Sequence, residues 1–132
     1  MKLLSFLSLT LALTAFGLHA HQYQGQVVDL SSIPNANISN VIATHPFVIV
    51  DLYAHWCRPC QLMNPILYNI VRHRPQITVV KVNADSHAGS VAHLMGTRSL
   101  PTFAFFKNGS KVAEFTGGRS EAHMMAEVNR LF

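Results

Sequence analysis

Cysteine is scarce in this chain of 132 residues: there are two, Cys57 and Cys60, and they share the stretch Ala54-His55-Trp56-Cys57-Arg58-Pro59-Cys60 with the single tryptophan. Two thiols fall short of the four ligands that a closed zinc site needs, and a bridge across so short a loop removes little unfolded-state entropy. Acids are few as well, six Asp and Glu against ten Lys and Arg, for a net charge of +4. The basic residues are scattered rather than clustered, which leaves no footprint for nucleic acid. The histidines His21, His45, His73, His87, His93 and His123 have no spacing that argues a metal site. No internal repeat or low-complexity linker divides the chain, so it reads as one domain at most.

The first twenty residues are set apart from that domain. Met1-Lys2 is a short positive start, Leu3 to Phe16 is apolar apart from Ser and Thr, and Gly17-Leu18-His19-Ala20 ends on a small residue. This is the layout of a secretory signal peptide, expected over 1–20, with cleavage after Ala20 and the folded domain over 21–132. Leu18 is larger than the residue usual three places before a cleavage site. An uncleaved anchor is the weaker alternative, because the apolar run is short for a bilayer and no cysteine follows it to carry a lipid. Without the segment nine Lys and Arg stand against six acids, a charge of +3. The expectation is a periplasmic or secreted protein with no stable membrane insertion, in a compartment where disulfides persist.

Before the cysteines lies the run Phe47-Val48-Ile49-Val50-Asp51-Leu52-Tyr53-Ala54, whose lack of alternation marks a strand covered on both faces. From Cys57 to about Arg72 the apolar positions Leu62, Met63, Ile66, Leu67, Ile70 and Val71 recur at helical spacing, with Pro65 expected to kink the axis. A strand ending in a CxxC that opens a helix reads as a redox site. Cys57 then sits where unpaired backbone N–H groups and the positive end of the macrodipole favour a thiolate, which makes it the nucleophile. Cys60, one turn on, is the resolving thiol. An inert bridge, a degenerate site and half a zinc site are the alternatives on these residues alone.

The remaining elements are read in order. Gln26 to Leu30 is a weak edge strand, and Pro34 to Asn40 is a loop in which Ser39 or Asn40 caps a short helix to Thr44. Ile77 to Val82 is a second buried strand, parallel to the first through a right-handed crossover. Ala84 to Met95 holds a helix capped by Asp85 or Ser86 and stopped by Gly96. Thr102 to Lys107 and Lys111 to Thr116 flank the hairpin signal Asn108-Gly109, and Ser120 with Glu121 opens a last helix with Ala122, Met125, Val128 and Leu131 facing the core.

These blocks together resemble the thioredoxin family. Val50 to Cys60, Pro65-Ile66-Leu67, Ser99-Leu100-Pro101-Thr102 and Phe106-Lys107-Asn108-Gly109 follow the family's order and spacing, and the likeness runs from Val27 to Phe132. It implies an α/β thioredoxin fold, a central mixed sheet flanked by helices with the CxxC at the N-terminus of the kinked helix. It also implies that Pro101 is the cis proline facing the cysteines and that Leu100 and Thr102, with Trp56, form the groove for an extended peptide. Asp51 matches the acid that assists deprotonation of the second cysteine, here Cys60. A lone carboxylate in an apolar strand must be neutral or paired, and Lys81 on the next strand is the candidate partner, against the alternative of an exposed strand end.

Two departures stand out: Arg58 where thioredoxins usually carry Gly, and Gln61 where they carry Lys. Trp56, Arg58, Pro59 and Lys81 are thus expected to tune the pair, while His55 reads as a solvated surface residue. The resemblance implies a thiol–disulfide oxidoreductase without metal or cofactor, a monomer acting on disulfide-containing client proteins and re-reduced by a redox partner. A disulfide-donating oxidase is the alternative, although the span from Cys60 to Pro101 has no room for the helical insertion of dedicated periplasmic oxidases. A non-enzymatic binding module is the third reading, opposed by the intact Cys57, Cys60, Asp51 and Pro101.

Overall fold

The computed structural model describes residues 25–33, 36–91, 94–97 and 99–132; the expected signal segment and cleavage point lie outside them. Five strands order as β1-β3-β2-β4-β5, with β1 at Gln26–Asp29, β2 at Phe47–Tyr53, β3 at Ile77–Asn83, β4 at Thr102–Lys107 and β5 at Ser110–Thr116. The β1/β3 and β3/β2 pairs are parallel, and β2/β4 and β4/β5 are antiparallel, so the sheet is mixed as expected. The helices are α1 (Ile38–Thr44), α2 (Arg58–His73), α3 (Ala84–Val91) and α4 (Glu121–Leu131).

Strand β2 is central because every side chain after Phe47 is buried, one set on each face. Val48, Val50 and Leu52 join Ile38 and Ile42 of α1, while Ile49 joins Met63, Leu67 and Ile70 of α2 and Met124 and Val128 of α4. The pleat sends alternate residues to opposite faces, so Asp51 and Tyr53 fall on the α2 face with Ile49. Asn108 and Gly109 both take positive φ, 49° and 84°, as the tight hairpin between β4 and β5 requires.

Several local expectations are corrected. Helix α1 is capped by Asn37, whose side chain accepts from the Ser39 N–H at 2.9 Å, rather than by Ser39 or Asn40. Starting there lets Ile38 and Ile42, one turn apart, bury together. Neither Asp85 nor Ser86 caps α3; the Asn83 side chain accepts the Asp85 N–H at 2.9 Å, and the helix is interrupted by non-helical angles at His87. It ends at Val91 rather than Met95, with residues 92–93 outside the description. On α4 Val128 is buried and half-buried Met125 and Leu131 pack against the same core, as expected, whereas Ala122 is exposed and the buried Met124 was not singled out. Leu62 of α2 is 58% exposed and does not belong to the core. Helix α2 runs as one element of 16 residues through Pro65, which cannot donate to the Gln61 carbonyl.

Candidate active site

Strand β2 ends at Tyr53, and the chain turns through Ala54, His55 and Trp56 into α2, with Cys57 as the residue that caps the helix. Its Sγ accepts the backbone N–H of Cys60 at 3.3 Å, and its carbonyl accepts from Gln61 at 3.2 Å. The two sulfurs are joined as a disulfide, with Cα atoms 5.3 Å apart. Both cysteines are buried, but reduction would leave Cys57 with a backbone donor and the positive helix end aimed at its sulfur, whereas Cys60 lies inside the first turn. The helix start therefore treats the two thiols unequally. The substituents between them are solvent-facing: Arg58 is exposed with no acid in that helical turn, and Pro59 occupies a first-turn position where its missing N–H costs little.

Around the cysteines the expected residues take different places. Trp56 is 72% exposed, and its indole N–H donates to Asp85 at 3.0 Å. Half-buried Leu100 packs with Tyr53, Ala54, Cys57 and Cys60, and the Leu100–Pro101 bond is cis. The Thr102 side chain is wholly buried, its hydroxyl donating to the Ser99 carbonyl and meeting the Thr116 hydroxyl, which leaves its backbone as the part that can face a groove. Gln61, standing in for the usual lysine, donates to the His55 carbonyl at 2.7 Å and so ties the loop to the helix. His55 is exposed, set edge-on to Tyr53.

Beneath this surface lies a polar cluster. Asp51 is fully buried rather than at an exposed strand end, and Lys81 reaches it at 2.7 Å. The same ammonium donates to Asn64 at 2.8 Å, and Asn64 lies one helical turn beyond Cys60, which connects Asp51 to the cysteine helix. Asp51 Oδ1 has no hydrogen-bond partner among the described residues. Burial raises the Asp51 carboxyl above its ordinary range; Lys81 offsets part of this by charge and hydrogen bond, and the Asp29 charge adds to it. Asp29, Tyr53 and Asn64 belong to the cluster although sequence reasoning did not single them out. Strand register carried the missing signal, since Asp29 and Asp51 both pair with Lys81. Among the described residues no three His, Cys, Asp or Glu gather as metal ligands.

The thioredoxin family model matches residues 29–130. The chain belongs to the thioredoxin family. It is 33% identical over 98 residues to a thioredoxin of Chlamydia pneumoniae, covering 74% of this chain and 94% of that one. Against a thioredoxin-like protein of Synechocystis it is 39% identical over 95 residues, covering 70% and 90%. Among solved structures, the oxidised thioredoxin of Plasmodium falciparum superposes with a TM-score of 0.69 at 25% identity, covering 80% of this chain and 97% of that one. A mutant thioredoxin of Halobacterium salinarum gives the same TM-score at 23% identity, covering 83% and 92%, which speaks for the fold. Family and CxxC together make the protein a thiol–disulfide oxidoreductase, and thioredoxins act on disulfide substrates and are re-reduced by redox partners.

Proposed function

We propose that this thioredoxin-family protein reduces or exchanges disulfides of exported proteins, with Cys57 attacking and Cys60 resolving. The reduced Cys57 thiolate attacks one sulfur of a client disulfide, forming a mixed disulfide and expelling the other sulfur as a thiolate that takes a proton from solvent. Cys60 loses its proton to Asp51 and attacks Cys57 Sγ, releasing the second client thiolate and closing the Cys57–Cys60 bridge. The client gains two electrons and this protein loses two; a partner dithiol returns them. Trp56 and Leu100 supply the apolar contact for the client segment, and Asp51 serves as proton acceptor.

The observation that carries this reading is the Cys60 N–H donated to Cys57 Sγ, which favours negative charge on one sulfur of the pair. The test is a pair of variants. Cys60→Ser should trap mixed disulfides with clients, whereas Cys57→Ser should trap few; equal trapping refutes the assignment. Export is supported by the charge and apolar pattern of residues 1–20, and mass spectrometry of the protein from its host should find a chain starting near His21. An intact N-terminus in the membrane fraction would sink that part.

A further inference from the structure

Tyr53 is the last residue of β2, 6% exposed, and its side chain has two unlike partners. The phenol donates to Asp29 Oδ2 at the end of β1, while the Lys81 ammonium lies 4.2 Å from the ring centroid. Asp29 is itself tethered: its Oδ1 accepts from the Ser31 N–H at 2.9 Å and from the Ser31 hydroxyl at 2.5 Å. Strand register sets Asp29 opposite Lys81 from one side and Asp51 opposite it from the other. Yet among the described residues the ion pair of Lys81 is with Asp51, and Asp29 makes none with it. An acid opposite a lysine in a parallel pair is an obvious competitor for that lysine. Here its oxygens are taken up by Tyr53 and Ser31.

We propose that Asp29 and Tyr53 are positioning residues: the phenol, anchored on the Asp29 carboxylate, keeps that acid off Lys81 and holds its own ring against the ammonium, so that Lys81 stays on Asp51. The tyrosine hydroxyl acts only through Asp29, and Asp29 acts only through Lys81 and its own charge. The charged and polar groups around Asp51 are Asp29 from β1, Tyr53 from β2, Lys81 from β3 and, through Lys81, Asn64 from α2, with the apolar Phe103 opposite it on β4. Within that set the two positioning residues make opposite predictions. Removing the hydroxyl frees Asp29 to draw Lys81 away, and Asp51 then holds its proton to higher pH. Removing the Asp29 charge takes away both a like charge and a competitor, and Asp51 then ionises at lower pH. Asp29 is two strands from Asp51, about 10 Å, so removing its charge should shift Asp51 by roughly half a pH unit, and drawing Lys81 off its 2.7 Å contact should give an opposite shift at least that large.

The inference rests on the reading of Asp51 as the proton acceptor of Cys60, and the experiment separates the two. Single-turnover reduction of a small model disulfide is followed against pH for the reduced full-length protein and for Tyr53→Phe, Asp29→Asn, the double variant and Asp51→Asn. In parallel, the Asp51 side-chain carboxyl is titrated by NMR in each variant that keeps it. Tyr53→Phe should move both the kinetic inflection and the Asp51 titration up, Asp29→Asn should move both down, and the double variant should match Asp29→Asn alone. Loss of packing would not give shifts of opposite sign. If Asp51→Asn keeps the inflection, the proton-acceptor reading fails, while the carboxyl titration still judges the clamp. If the inflection disappears in Asp51→Asn but neither positioning variant moves the Asp51 titration, the clamp is overturned and the acceptor reading survives.

Discussion

Two rungs of the sheet lie one pleat apart on the same face, built by the same strands. In the first, Val27, Val79, Ile49 and Phe105 pair across β1, β3, β2 and β4; in the second, Asp29, Lys81, Asp51 and Phe103 do. The backbone ladder continues from one to the other, so the difference lies in the side chains. Ile49, Val79 and Phe105 are wholly buried against α2 and α4, each side chain contributing on the order of 1.5–3 kcal/mol by leaving water. Asp51 is equally buried, but one of its oxygens has no partner among the described residues, and burial of a carboxylate costs more than an imperfect pairing returns. The first rung holds the fold together. The second, at the CxxC end of the face, gives up stability to keep a buried acid there.

The largest effect should come from forcing the first rung to imitate the second. Ile49→Asp places a carboxylate where the residues opposite are Val79 and Phe105, and an uncompensated buried charge costs about 3–5 kcal/mol. Ile49→Val, which only trims the side chain, should cost about 0.5–1.5 kcal/mol. Urea midpoints of the two variants measure both, and an Ile49→Asp protein as stable as Ile49→Val would mean that the apolar rung is open to water.

The reverse exchange should stabilise. Asp51→Leu combined with Lys81→Met removes the buried acid together with the cation paired to it, and replacing a buried ion pair by apolar side chains of similar size is worth up to about 1–4 kcal/mol. The gain should depend on pH in one sense. Because burial holds the folded Asp51 carboxyl above its ordinary 3.8, ionising it disfavours the fold. Below 3.8 wild type carries no ionisation penalty; the penalty grows as pH rises through the raised folded value and then levels off. Asp29 behaves oppositely. Burial opposes its charge, but hydrogen bonds from Ser31 and Tyr53 and the charge of Lys81 outweigh it and lower the carboxyl below 3.8. Its contribution is present above 3.8 and lost as pH falls through the lower folded value, so Asp29→Asn should destabilise at neutral pH and converge with wild type in acid. Unfolding midpoints between pH 2 and 8 test both, and two acids with parallel profiles would remove the distinction between them.

The apolar rung was readable from the chain itself, because unbroken runs such as Val48-Ile49-Val50 and Val79-Val80 mark strands covered on both faces. Lys81 as the partner of Asp51 was legible too, since consecutive parallel strands are usually neighbours. Asp29 was not. An acid at the end of a weak strand looks solvated until the order β1-β3-β2 is known, and that order comes from crossovers rather than from any local pattern. The misread helix faces have a similar cause. Periodicity gives the spacing of a face, but docking sets its rotation, so Met124 is buried where Ala122 was expected and Leu62 points to solvent. The Asn37 cap followed from where Ile38 and Ile42 bury, not from which polar residue stood nearest.

The smallest effect should come from a charge that belongs to neither rung. Arg58 follows Cys57 at the start of α2, exposed and without an acid in that turn. Lys81 works beside a dry carboxylate, whereas Arg58 works through water, where two unit charges 4 Å apart interact by only about 1 kcal/mol and salt screens them further. A cation there favours the Cys57 thiolate and hence the reduced form, so it raises the reduction potential. One kcal/mol corresponds to roughly 20 mV for two electrons, and Arg58→Gly should lower the potential by no more than about that, with the difference shrinking as salt is added. Equilibration of both proteins against glutathione measures it. A drop several times larger, or one indifferent to salt, would show that Arg58 acts on the cysteines by something other than a solvated charge. A wild-type potential roughly 150 mV above that of thioredoxin would match the strongest periplasmic oxidants and make disulfide donation the better reading of the site.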